Sequence, residues 1–162
     1  MKVLSKRWLL GAVALAIVAA MASQALGAPT GDSAHGLGAT TGAKVATAQT
    51  SLGRILVDSK GLTLYLWLRD TRGRSVCSDA CAGYWPPLLT RGKPAAVHGA
   101  KASLVGVTRR SDGTTQVTYD GHPLYRYAGD SRPGETNGQG SQSFGAGWYV
   151  LSQAGRTIVA GA

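Results

Sequence analysis

The residues whose types could do chemistry are few, and most of them recur. Asp70 closes the run Leu64-Tyr65-x-Trp67-x-x-Asp70, and Asp130 closes Leu124-Tyr125-x-Tyr127-x-x-Asp130 at a constant offset of 60. A carboxylate in such a run could help hold a hard cation, which takes several oxygen ligands, or serve as an acid or base. Neither aspartate has a second carboxylate or a histidine close by in sequence, and each precedes turn-prone residues, Thr71-Arg72-Gly73 or Ser131-Arg132-Pro133. The expected role is therefore a structural cap that accepts backbone N–H groups. No metal site is assigned.

Cys77 and Cys81 are the only cysteines. In an exported chain two cysteines pair, and a disulfide is expected here. The spacing is not C-x-x-C, and zinc needs more ligands than two thiolates. A redox or metal role for the pair stays open as the alternative. Trp85, followed by Pro86-Pro87, and Trp148 each lie downstream of one motif. They either pack as core aromatics or floor an aromatic groove. His98 and His122 lie near Ser103 and Ser111, which are residue types of a hydrolase. No G-x-S-x-G or H-E-x-x-H motif accompanies them, so no catalytic residue is assigned. The Gly-rich stretch Pro133 to Gly147 lacks both a following helix and a Lys-Ser/Thr pair, so it gives no phosphate cradle, and no cofactor is assigned.

The elements that must position these residues read as β. Leu62, Leu64, Leu66 and Leu68 alternate with Thr63, Tyr65, Trp67 and Arg69, the period-two pattern of a strand. Both faces of that strand are largely apolar, so the second must be covered by core or must bind something. Gly53 to Val57 forms the preceding strand, and Asp58-Ser59-Lys60-Gly61 supplies turn chemistry between them. Leu104 to Tyr127 reads as a meander, with Asp120-Gly121 as a tight turn of positive φ. Trp148 to Leu151 and Arg156 to Val159 make a last hairpin. The register extends beyond the motif, since Val57 matches Val117 and Gly61 matches Gly121, so the unit is a duplicated one.

The start of the chain has a different character. Lys2, Lys6 and Arg7 precede an apolar run from Trp8 to Ala22, followed by small residues. This is the layout of a secretory signal. The run is shorter than the ~20 residues of a comfortable membrane span. Removing the leader takes three positive charges with it, and the formal net charge falls from +9 to +6. The organisation expected is a signal peptide over 1–25, a Gly/Ala/Thr/Ser-rich flexible linker over 26–50 and one small domain over 51–162. The domain is mainly β, built of antiparallel hairpins from two related repeats at about 53–90 and 113–152.

The text "GLTLYLWLRD…CSDACAGYWPPLL" and "YDGHPLYRYAGDSRPGETNGQG…GWYVLS" resembles a bacterial secreted-repeat and lipoprotein family with a Y-x-[FWY]-x-x-D motif. The resemblance covers nearly all of Ile55 to Ser152. It implies an exported, β-rich, two-repeat domain, no settled reaction and no catalytic residues to carry over. Unlike lipoprotein members, this chain has no lipidation cysteine at the end of its leader.

The function expected is a non-catalytic secreted or cell-surface binding or structural module. The alternative is an extracytoplasmic redox or metal-handling protein using Cys77/Cys81 or Asp70/Asp130. The basic charge fits an acidic cell-envelope polymer as partner. Export and the absence of a recognition motif count against nucleic acid.

Overall fold

The computed structural model describes residues 41–159. The signal-peptide reading of residues 1–25 and the linker reading up to residue 40 lie outside them. Each repeat opens on an antiparallel hairpin. In the first, β1 (Lys44–Thr50) pairs with β2 (Gly53–Asp58) from Val45↔Asp58 to Thr50↔Gly53. The chain turns at Asp58–Gly61 and returns along β2 through the Val57↔Thr63 bridge into β3 (Tyr65–Trp67). A short helix, α1 (Asp79–Tyr84), and the two-residue strand β4 (Ala95–Ala96) follow. The second repeat repeats the plan. β5 (Val105–Arg109) pairs with β6 (Thr115–Tyr119), and β6 turns into β7 (His122–Pro123). Asp120 and Gly121 both have positive φ, 48° and 78°, as a primed hairpin turn requires. β8 (Trp148–Val150) closes the order.

Two readings need correction. The composition places residues 26–50 in a flexible linker, yet Lys44–Thr50 is a strand. Its alanines and threonines carry little apolar surface of their own. The strand forms because β2 saturates one edge and buries Val45 and Ala46. The duplication held the missing signal, since Val45 stands at the position of Val105 in β5. The sequence pattern makes the second motif a strand like the first. It is extended, but Tyr125 is held only by single bridges, to Tyr65 on one side and Pro87 on the other. Pro86 and Pro87 have no N–H to donate, so a full ladder cannot form along that edge.

The repeats interlock by exchanging their last strands. β8 of the second repeat pairs with β3 of the first (Tyr65↔Val150, Trp67↔Trp148), and Leu56 donates its N–H to Leu151 O at 3.0 Å. Reciprocally, the Trp85-Pro86-Pro87-Leu88 segment of the first repeat lies against the second. Leu88 N donates to Leu124 O and Val117 N to Leu88 O, both at 2.8 Å. Tyr65 and Tyr125 meet where the two halves cross and exchange both backbone hydrogen bonds, at 2.8 and 3.0 Å.

Both faces of β3 are covered. Tyr65 and Trp67 join one apolar cluster with Ile55, Val57, Trp85, Tyr125, Trp148 and the cystine. Leu64 and Leu66 join the other with Val45, Leu56, Leu88, Val117, Leu124 and Leu151. Period-two alternation in β2 and β3 thus feeds two cores from one layer. The result is a mainly β domain with small antiparallel sheets.

Candidate functional site

The motif aromatics and the downstream tryptophans form one ladder. Trp67 stacks on Trp148 with centroids 4.9 Å apart, Trp148 stacks on Trp85 at 3.9 Å, and Trp85 meets Tyr127 at 4.5 Å. Tyr65 touches the edge of Trp85, and Tyr125 the edge of Trp148. The order alternates between repeats, so the stack exists only because the last strands are exchanged. Each ring pair adds about 0.5–1.5 kcal/mol beyond its area burial. The polar edges are satisfied as well. The indole N–H groups of Trp85 and Trp148 donate to Ser143, one to its Oγ at 3.0 Å and the other to its carbonyl at 2.9 Å. Trp85 and Trp148 are therefore buried, covered on their faces by other rings rather than open as a groove floor.

The motif tyrosines and aspartates pair across the repeats. Tyr65 Oη donates to Asp130 Oδ2 at 2.6 Å, and Tyr125 Oη donates to Asp70 Oδ2 at 2.5 Å. The second oxygen of each carboxylate accepts a backbone N–H, Val76 for Asp70 at 2.8 Å and Asn137 for Asp130 at 2.9 Å. Those donors lie six and seven residues on, beyond the immediate turn. Burial is the main force raising both tyrosines well above their usual range, and the facing carboxylates add to it. Burial also raises the Asp70 carboxyl, opposed by the bonds from Tyr125 and Val76.

The two halves differ behind these pairs. The buried Arg110 donates to Ser75 Oγ at 2.6 Å, to Gln116 Oε1 at 2.9 Å and to Cys77 O at 2.6 Å. Tyr125 spends its one proton on the Asp70 carboxylate, so the Ser75 hydroxyl is the donor to Tyr125 Oη at 2.7 Å. Every proton in that chain has a direction. Nothing in the spacing of Ser75, Arg110 and Tyr125 announced it; the only sequence signal was an arginine between strands.

Cys77 and Cys81 are bonded. The closed loop holds the first turn of α1, which stops at Tyr84 with Trp85 as its cap because Pro86 disfavours helix in the residue before it. α1 leaves Tyr84 62% exposed beside Phe144, 37% exposed, with ring centroids 6.0 Å apart. Phe144 has φ 61°, a left-handed conformation that costs a non-glycine residue of order 1–3 kcal/mol. Sequence reasoning missed Tyr84 and Phe144; a lone Phe in a Gly/Ser/Gln loop was the available signal. Two depressions flank Phe144. One, of about 290 Å³, is bordered by Tyr84, Trp85, Tyr127, Ser141 and Ser143. The other, of about 370 Å³, is bordered by Trp67, Arg69, Val76, Ser78 and Cys81. Arg69 sits over the Trp67 ring, 5.8 Å from its centroid, and donates to Phe144 O. Exposed apolar and aromatic surface thus gathers at one rim of the ladder, with a cation beside it.

Other candidates do not converge. Among the described residues no group of three His, Cys, Asp or Glu side chains lies together. His98 and Ser111 are exposed in turns, His122 starts β7, and Ser103 lies in a 3-10 turn. No hydrogen bond joins a serine hydroxyl to either imidazole among the described residues. Nor is any helix among them long and apolar enough to cross a membrane.

A family model described as a secreted repeat of unknown function (Lipoprotein_15) matches twice, over residues 46–89 and 106–152. The chain belongs to this family. The two matches begin 60 residues apart, the offset of the motif, and the first begins inside β1. The secreted-repeat unit therefore includes the opening hairpin strand. No curated protein and no solved structure matches the chain.

Proposed function

We propose that this secreted repeat protein is a non-catalytic binding module of the cell envelope. Its ligand-facing surface is the rim around Tyr84 and Phe144, and its partner is an acidic envelope polymer. The observation that carries the reading is the pair of exposed rings on the disulfide-held α1 and the left-handed Phe144, flanking two depressions that the ladder supports from below. Rings next to Ser141, Ser143 and Arg69 suit a polymer with both apolar and polar faces. The surface charge supports the acidic partner. Asp58, Asp120, Asp112 and Glu135 are each engaged by an arginine, whereas Lys44, Arg54, Arg69, Arg74, Arg91 and Arg109 make no ion pair among the described residues. Co-sedimentation with isolated cell-wall sacculi tests it. Tyr84→Ala with Phe144→Ala should lower the bound fraction at least fivefold while the near-UV spectrum of the buried tryptophans is kept. Equal binding by the variant with that spectrum intact defeats the assignment of the rim.

A further inference from the structure

Positions where a duplicated fold departs from its own symmetry are free of the constraint that built it. Two such departures sit together. Leu66, 1% exposed in the core of the first repeat, has Arg126 as its counterpart, and Asp58 has Thr118. Arg126 and Asp58 meet across the repeats, with Nε donating to Oδ2 at 2.6 Å. Asp58 is itself fixed, since its other oxygen accepts the N–H groups of Lys60 and Leu62 at 2.8 and 3.0 Å. Arg126 is thus held at one nitrogen by a buried carboxylate, and it is about one-third exposed. Its two terminal amino groups have no hydrogen bond among the described residues.

Arg126 borders a depression of about 540 Å³ at the start of β1. Lys44 and Arg91 border it too, both exposed and both without an ion pair among the described residues, and Ser59 adds a hydroxyl. Among the described residues no acidic side chain borders it. Even with Asp58 set against Arg126, two positive charges remain.

We infer that the cleft between Lys44, Arg91 and Arg126 is an anion-binding subsite for the forked oxyanion, phosphodiester or carboxylate, of a polyanionic chain. A guanidinium fixed at Nε presents its remaining donors as a planar pair, the geometry that binds such groups in bidentate fashion. Lys44 and Arg91 raise the local potential as unattached charges. The inference rests on the polymer-binding reading above and names the part of the ligand that would be read at this second place.

Two kinds of probe keep the subsite and the wider reading apart. The first is inorganic phosphate, with acetate as the carboxylate arm, titrated against the protein while the arginine side-chain N–H signals are followed by NMR. The second is poly(glycerol phosphate), with polyglutamate as the carboxylate arm and dextran as the neutral control, followed by fluorescence anisotropy. Phosphate or acetate should shift the Arg126 signals saturably, and one polyanion should bind at least tenfold tighter than dextran, more weakly as salt rises. Arg91→Gln and Lys44→Gln should each weaken polyanion binding about threefold. The double change Asp58→Thr with Arg126→Leu, which imports the residues of the sister repeat and leaves no buried charge unpaired, should weaken it at least tenfold. Saturable Arg126 shifts with no polymer binding keep the anion subsite and sink the polymer reading. Polyanion binding unchanged in the double variant, or no shift with either small anion, overturns the subsite.

Discussion

The hydroxyl of Tyr65 in the first repeat donates to the carboxylate of Asp130 in the second at 2.6 Å. The mirror pair, Tyr125 and Asp70, closes the exchange from the other side. The motif is thus a device that no single repeat can complete. Each copy supplies a tyrosine for the other's aspartate.

Removing one hydroxyl leaves the facing carboxylate short of a partner in a buried setting. Tyr65→Phe and Tyr125→Phe should each cost about 1.5–3 kcal/mol, the range for a hydrogen bond to a charged group. Urea melts measure it. In a double-mutant cycle, Tyr65 should couple to Asp130 and not to Asp70. Coupling of equal size to both aspartates would contradict the cross-repeat pairing.

Asp70 and Asp130 each spend both oxygens on protein donors. Calcium and chelator should therefore leave the melting temperature of the wild type unchanged, and Asp70→Asn should be milder than Asp70→Ala because it keeps one acceptor. A sharp fall of the wild-type melting temperature with chelator, absent in Asp70→Asn, makes the motif a metal device instead.

Two carboxylates should give opposite pH signatures. Glu135 accepts the backbone N–H groups of Ser131 and Arg132 and the Arg132 side chain, which together pull it from 4.5 to about 2. A folded-state value below the unfolded one gives stability that is present above pH 4.5 and lost as pH falls toward about 2. The Glu135→Gln deficit should therefore be full at neutral pH and vanish toward pH 2. Asp70 is shifted upward, mainly by burial, so its contribution is full below its ordinary 3.8 and declines as pH rises. The Asp70→Asn deficit should accordingly shrink on going from acid to neutral pH. Thermal melts from pH 2 to pH 7 decide both.

The cystine joins residues four apart in sequence, with Ser78, Asp79 and Ala80 between them. So short a loop gives about 2 kcal/mol on the chain-entropy model. Cys77→Ser with Cys81→Ser should lower stability by about that much, and should lower sacculus binding further by releasing Tyr84 on α1. An unchanged melt in the double serine variant refutes the first part, and unchanged binding the second.

The chain by itself determined whatever depends on neighbours in sequence. The alternation of Leu62–Arg69 marked β3 and its two apolar faces, and Asp120-Gly121 marked the primed turn, because pleat and turn conformations are set within a few residues. The constant offset from Tyr65-x-Trp67-x-x-Asp70 to its copy revealed two repeats, and the cysteines announced their bond. Only the tertiary structure decided which strand each repeat would take as its edge partner. A strand's edge hydrogen bonds are the same whichever copy supplies them, so Trp85 and Trp148 carry no mark in sequence of the repeat they will join. The exchange then determined what the local pattern could not. It placed Tyr65 on Asp130 and laid Trp67, Trp148, Trp85 and Tyr127 in one ladder. Lys44–Thr50, an apparent tether in sequence, became a strand because β2 of its own repeat bonds it and the core takes up Val45 and Ala46.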